Sequence, residues 1–259
     1  MLRGRIISSP RHTNDIKIPA RIHPRVNPWN AADFFDIENI RPEPVGFRAI
    51  IDDITDSRRQ LVRDTFSGLL EASLLKDQDT GMHIARVNEY SRVLAEELVD
   101  KPGYSEVNRE FIETIGFVAA MHDVGKIRTP DDILNKGASL DEWEWEIMKE
   151  HTKNGAYILN RYPSPMASQV ALFHHERWDG SGYPYSISAD LIPLAARIVS
   201  MADVYDALRM ERVYKPAFSH ADALEELEQG IQAHFDPNLA FCFLENRSKM
   251  NSIFENISD

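Results

Sequence analysis

From about Asp56 onward the apolar residues of this chain recur every three to five positions, as in Leu61, Phe66, Leu69, Leu70 and Leu74. That spacing follows the 3.6-residue turn of a helix and not the period of two of a half-buried strand. The larger, later part of the chain is therefore expected to be helical. A second helix is read from Ile84, Val87, Leu94 and Leu98 and is stopped by Pro102-Gly103. A third runs through Phe111, Ile112, Ile115, Val118 and Ala119 to a His-Asp pair. Ser139, with Glu142 three positions on, reads as a capping box that opens a helix reaching Tyr162. Further helices are expected over about 165–175, 190–210, 220–230 and 237–247, with Asp236-Pro237 supplying a cap and the proline tolerated in a first turn.

The beginning of the chain is different. Six of its fourteen prolines fall in the first 44 residues, where each removes a backbone donor and restricts its predecessor. Alternation such as Ile16-Lys17-Ile18 is brief, so residues 1–55 are expected to be a loop-rich extension with a few short strands, and residues 56–259 a single all-α domain. At 43% hydrophobic and 27% charged residues, the balance is that of a globular protein.

Net charge narrows the function classes. Twenty-nine Lys and Arg against 41 Asp and Glu leave −12, which repels long nucleic acids, so an anionic ligand needs a local positive site. Residues 1–50 carry eight basic and five acidic side chains, so the acidity lies in the helical part. The single cysteine, Cys242 between Phe241 and Phe243, permits no intrachain disulfide and fits a reducing compartment as a buried thiol. No apolar run has the length of a membrane helix, and the start MLRGRIISSPRH lacks the apolar core of a signal peptide, so a cytoplasmic location is expected.

Five of the nine histidines, His83, His122, His151, His174 and His175, lie on or beside these helices next to carboxylates. A His-Asp dipeptide alone is more often a helix end with a satisfied neighbour, but the other histidines change that balance. On a helix, His122 and Asp123 would diverge by ~100°, so one site can use both, with the carboxylate bridging two ions. His174-His175 diverge likewise, which suits two different ions. Asp79 and His83, four apart, share a helix face. Asp203 follows the apolar run from Ile198 to Ala202, where a carboxylate needs a partner or a metal. Imidazole with carboxylate suits first-row transition metals and excludes none of iron, manganese, nickel and zinc. In HHERWDGSGYP, Gly180 and Gly182 free the backbone for close approach to a ligand, and the Tyr183 ring is placed to stack on a base.

The strings HDVGK, KEH, HHERWDGSGYP and ARIVSMADVYDALRMERVYK, in that order over roughly residues 65–240, resemble the HD-GYP family of cyclic di-GMP phosphodiesterases, built on the helical HD metal-hydrolase core. The resemblance implies hydrolysis of cyclic di-GMP to linear pGpG, and in many members on to GMP, by two-metal activation of a bridging water. It implies His83, His122, Asp123, His151, His174, His175 and Asp203 as ligands of two divalent ions, iron or manganese, with Asp123 bridging and Asp79 a candidate ligand of a third. Lys126 matches a lysine that faces the scissile phosphate, and Tyr183, Asp206, Arg212 and Lys215 match positions that hold substrate. The chain departs from the pattern at Asp79, often glutamate, at Ser186 and Ala189, usually glycines, and at Val213, usually proline. Another HD-type nucleotidase, a non-enzymatic cyclic di-GMP sensor, and 3′,3′-cyclic GMP-AMP as substrate are the alternatives. The helix from Asp56 either pairs in a homodimer or joins the core.

Overall fold

The computed structural model describes residues 55–76, 81–211 and 216–258. The expected strands of residues 1–54 lie outside them, as do Asp79, Arg212, Val213 and Lys215. The chain divides into two compact units, Met1–Thr65 and Phe66–Asp259, with the division inside the first helix.

Among the described residues the elements are helical: α1 (Thr55–Leu74), α2 (Gly81–Glu97), α3 (Arg109–Val118), α4 (Asp131–Leu134), α5 (Glu142–Lys149), α6 (His151–Leu159), α7 (Pro165–Phe173), α8 (Leu194–Arg209), α9 (His220–Gln229), α10 (Pro237–Glu245) and α11 (Arg247–Asn256). No strand is found there beyond an isolated bridge between Ile231 and Phe235. Polar caps start several helices. Asn108 accepts from the amide of Phe111, Ser164 from Met166 with Pro165 next in the chain, Ser219 from Asp222, and Asp236 from Asn238 and Leu239.

The core of the second unit is gathered around α8. Its Leu194, Ala195, Ala196, Ile198, Val199, Met201, Ala202 and Tyr205 are all buried, so the helix is apolar on most sides and runs through the middle of the unit. Val87, Tyr90 and Leu94 of α2, Ile115 and Val118 of α3 and Val170 and Ala171 of α7 complete the same cluster. Tyr90, Tyr205 and Phe243 meet edge to face at centroid distances of 5.3 and 5.1 Å.

Three expectations are corrected. The capping box belongs to Asp141, not Ser139: Asp141 Oδ1 accepts from the Glu144 amide and Glu144 Oε2 accepts from the Asp141 amide. Both serine and aspartate are followed three residues later by glutamate, and the later register wins. The helix expected to run on to Tyr162 is two helices, divided at Glu150, whose ψ of −15° tightens the turn and starts α6 at His151. The third helix ends at Val118 and continues as a 3-10 turn, Ala119–Met121, before His122. The apolar period does not announce α11 at all, because its described face buries only Met250 and Ile253.

Candidate metal centre

Four segments meet beside Asp203, in the second half of α8. His83 comes from the first turn of α2, His122 and Asp123 from the turn after Met121, His151 from the start of α6, His174 and His175 from the end of α7, and Asp203 from α8. Two glycines let the second and third segments touch. A methyl group on Gly125 would lie 2.9 Å from the carbonyl carbon of His151 and closer to its oxygen, while one on Gly155 would lie 3.0 Å from the Ala171 Cβ and 3.4 Å from the Gly125 nitrogen. Gly125, the glycine of HDVGK, thus sets the distance between Asp123 and His151 by backbone-on-backbone packing. Lys76 ties down the following residues by donating to the carbonyls of Ile127 (2.9 Å) and Thr129 (2.5 Å).

The rings are aimed by their Nδ1 atoms. His122 Nδ1 lies 2.8 Å from the carbonyl of Ala119, His151 Nδ1 2.7 Å from that of Met148, and His174 Nδ1 3.1 Å from those of Val170 and Ala171. A carbonyl only accepts, so each Nδ1 carries a proton and each Nε2 is left to face the centre. Those Nε2 atoms are buried without a hydrogen-bond partner, as is Asp123 Oδ1. They converge: Asp123 Oδ1 is 3.2 Å from His151 Nε2 and 3.6 Å from His174 Nε2, while Asp123 Oδ2 is 3.3 Å from His122 Nε2. His83 Nε2 and His122 Nε2 lie 3.5 and 3.8 Å from Asp203 Oδ1. Two donor groups result, Asp123-His151-His174-His175 and His83-His122-Asp203, each with its donor atoms within 4.8 Å of one another. The two oxygens of Asp123 face one group each.

Buried, partnerless acceptor atoms aimed at a common centre are costly unless a cation satisfies them. Neutral imidazole nitrogen with carboxylate oxygen suits a divalent first-row ion, so the residues present fit a metal. The charge balance agrees. Burial alone would lower His122, but Asp123 and Asp203 outweigh it and push the imidazole up to about 9. Burial also opposes ionisation of Asp123, yet Lys126 and His122 hold its carboxyl well below the usual range. Burial, then the neighbouring rings of His174 and His151, keep His175 well below an ordinary imidazole, and burial lowers His174. The centre keeps His174 and His175 neutral and Asp123 charged, and carries a proton on His122 where a cation would replace it.

A cleft of about 550 Å³ opens onto both groups. Lys126 lines it with its Nζ 2.8 Å from Asp123 Oδ2. Tyr183 lines it too, stacked on the His175 ring at 4.7 Å and meeting Trp145 at 6.2 Å. Trp145, with Leu134, Leu140 and Met148, makes an apolar wall beside the donors.

Several expectations change here. His174 and His175 do not diverge to two ions; their rings lie 4.1 Å apart in one group, because the helix ends at Phe173 and the chain turns under them. His122 and Asp123 likewise sit past the helix end. Asp206 does not face the cleft. Its side chain has no exposure, its Oδ2 lies 2.8 Å from His83 Nδ1, and its two oxygens accept from Arg86 at 2.7 and 3.0 Å. A carboxylate enclosed in this way has no face left for substrate. Gly182 serves the protein's own backbone: a methyl there would lie 2.5 Å from Glu176 Cα and from the His175 carbonyl oxygen, so the glycine lets the loop fold back over the histidine pair. Ser186 and Ala189, where the resemblance leads one to expect glycine, have left-handed backbone at φ 54° and 52°. Asp79, Arg212 and Lys215 lie outside the described residues. Sequence reading missed Arg86, Trp145 and Gly125, and only Gly125, beside the His-Asp pair, carried a signal.

Residues 74–239 match the HD domain family. The chain belongs to that family. Among HD-domain relatives, a cyclic di-GMP phosphodiesterase of Vibrio cholerae is 42% identical over 193 residues, covering 71% of this chain and 39% of that protein. One of Thermotoga maritima, also a cyclic di-GMP phosphodiesterase, is 38% identical over 71% of this chain and 49% of its own. A 3′3′-cGAMP-specific phosphodiesterase of Vibrio cholerae is 36% identical over 80% of this chain and 38% of its own. The chain therefore spans less than half the length of these relatives. A solved structure of a cyclic GMP-AMP specific phosphodiesterase from V. cholerae superposes with a TM-score of 0.53 at 19% identity, covering 74% of this chain and 50% of that one, and shares the HD-domain helical fold. No helix among the described residues is long and apolar enough to cross a membrane.

Proposed function

We propose that this HD-domain chain hydrolyses a cyclic dinucleotide, with cyclic di-GMP as substrate and linear pGpG, then GMP, as products. The observation that carries the reading is Asp123, whose two oxygens face two separate donor groups at the floor of a cleft with a lysine and an aromatic wall. The relatives named for cyclic di-GMP support the substrate. Two divalent ions, iron or manganese, would be held by His83, His122, Asp123, His151, His174, His175 and Asp203, with Asp79 available to a third. When bound they would supply Lewis-acid activation of water and charge stabilisation at phosphorus.

The chain's own residues do the rest. Opening the ring forms a phosphorus–oxygen bond to water and breaks the one to a 3′-oxygen. Lys126 stands at the cleft wall to offset charge that grows on the phosphoryl oxygens, an effect usually among the largest in such sites. Arg212 and Lys215 are assigned to the phosphates as well, and Tyr183 with Trp145 to a base.

The similarity to a relative named for 3′3′-cGAMP supports a second reading in which that dinucleotide is the substrate. The test is metal analysis of the purified protein, run beside chromatographic assays of both dinucleotides with added iron(II) or manganese(II). Two or more ions per chain with release of pGpG or GMP is the expected result. Bound but uncleaved dinucleotide would replace the hydrolase with a sensor.

A further inference from the structure

His83 is aimed differently from the other rings. His122, His151 and His174 lean on carbonyls three or four residues away in their own segments. His83 Nδ1 instead meets Asp206 Oδ2 at 2.8 Å, across 123 positions of sequence. Asp206 is in turn gripped by Arg86, whose Nε donates to Oδ1 at 2.7 Å and whose Nη2 donates to Oδ2 at 3.0 Å. Arg86 is itself 3% exposed. Its Nη1 donates to the carbonyl of Ile257 at 2.9 Å, and its guanidinium lies 5.0 Å over the ring of Phe254. Phe254 also carries Arg209 at 4.1 Å, and Arg209 donates to Tyr205 Oη and Asn251 Oδ1, both at 2.9 Å, so α11 is clamped at this point. The path from the end of α11 to the His83 ring is thus continuous: Ile257 carbonyl, Arg86, Asp206, His83. Phe254 and Ile257 lie beyond residue 239, where the match to the HD domain ends.

We propose that Arg86 and Asp206 are positioning residues, forming a relay through which α11 sets the metal affinity of the His83-His122-Asp203 group. A carboxylate behind a ligating imidazole fixes its tautomer and its direction, and losing such a partner typically weakens metal binding about 10- to 100-fold. A carboxylate with no exposure keeps its charge only beside a cation, here Arg86. Arg86 is held in turn by the Ile257 carbonyl and the Phe254 ring. Displacement of α11 therefore reaches His83 without touching the cleft. The inference rests on the reading of His83 as a ligand.

The test uses the full chain and compares wild type, Asp206→Asn and Phe254→Ala. Nitrogen-15 NMR of the metal-free protein, recorded at a pH high enough for the ring to be neutral, reports the His83 tautomer, and manganese(II) titration followed by electron paramagnetic resonance reports each site. Wild type is expected to hold the proton on His83 Nδ1 and to bind two ions. Asp206→Asn should mix the tautomers and weaken one ion roughly 10- to 100-fold, leaving the other within about twofold. Phe254→Ala, outside the metal centre, should weaken the same ion by about threefold or more in the same direction. If Asp206→Asn fails to fold, Phe254→Ala decides alone. Equal weakening of both ions, or two unchanged ions in folded variants, would overturn the relay while leaving the metal centre standing. Wild-type protein that binds no manganese overturns the metal-centre reading and the relay with it.

Discussion

Gly125→Ala isolates what holds Asp123 beside His151 within one donor group. The added methyl would sit 2.9 Å from the His151 carbonyl carbon, with the carbonyl oxygen closer still, whereas ordinary contact begins near 3.4 Å. Both sides of the contact are backbone, so neither can rotate away: the methyl would overlap that oxygen by more than about an ångström, and α6 must move off the segment carrying Asp123 by about an ångström or more. His151 Nε2 and Asp123 Oδ1, now 3.2 Å apart, move with it. Overpacking typically costs about 1–3 kcal/mol and occasionally more, and a backbone overlap this deep falls at or above the top of that range. For a domain of this size that is a fall in melting temperature of roughly 2–4 °C per kcal/mol. Gly116→Ala is the matched control. The nearest atoms to its methyl would be those of the Arg92 side chain, at an ordinary 3.4 Å, and alanine in a helix interior is favoured over glycine by about 0.5–1 kcal/mol. Thermal melts and metal analysis of both variants should show Gly125→Ala less stable and short of metal, and Gly116→Ala as stable as wild type or more so with its metal retained. A Gly125→Ala protein with full metal content and an unchanged melt would refute the packing argument.

Ala189→Gly should raise stability by about 0.5–1 kcal/mol, because its φ of 52° strains an L-residue; Ser186→Gly should change little, since it also loses the Ser186 Oγ bond to the Gly182 carbonyl, and urea melts check both. With His122 pushed up to about 9, a proton occupies the centre at neutral pH and must leave when metal binds. Apparent manganese affinity should then rise about tenfold per pH unit between about pH 7 and 8.5, and a flat calorimetric profile there would refute it. The same raised value stabilises the metal-free fold fully below pH 6.5, and that stabilisation is lost as pH rises through about 9. Lys126→Ala should keep its metals and lose roughly 10²–10³ in kcat, measured by product chromatography. Trp145→Ala should raise KM for the dinucleotide by about tenfold with kcat within about twofold, the loss expected for one stacked base; an unchanged KM would remove Trp145 from the base site.

Much of the helical fold is legible from the residues. The period of three to five predicts the helices because α2, α3 and α8 bury their apolar residues against one another, and tertiary packing reinforces what local spacing suggests. The metal-donor residues are legible as types, since histidines beside carboxylates in apolar surroundings leave few other uses. Direction is not legible. Whether His174 and His175 diverge depends on the helix ending at Phe173, and whether Asp206 faces the cleft depends on Arg86, 120 positions away. The glycines after the histidine pair suggest room for a ligand, whereas Gly182 makes room for the chain itself. Helix register at Asp141 is ambiguous in sequence because two overlapping capping patterns compete within six residues.

The two donor groups are assembled by different means, and this makes their failures separable. Asp123, His151, His174 and His175 come from segments pressed together through Gly125, Gly155 and Ala171, and two of the three rings are aimed by local carbonyls. That group depends on close packing of backbone. His83, His122 and Asp203 join α2, the turn after α3 and α8, and His83 is aimed by a buried ion pair that reaches α11. That group depends on long-range electrostatics and hydrogen bonds. Forcing the backbones apart at Gly125 should therefore empty the first group before the second, and a change at Phe254 should weaken the second while sparing the first. Asp123 belongs to both through its two oxygens, so Asp123→Ala should remove both at once, a pattern that neither single-group variant can produce.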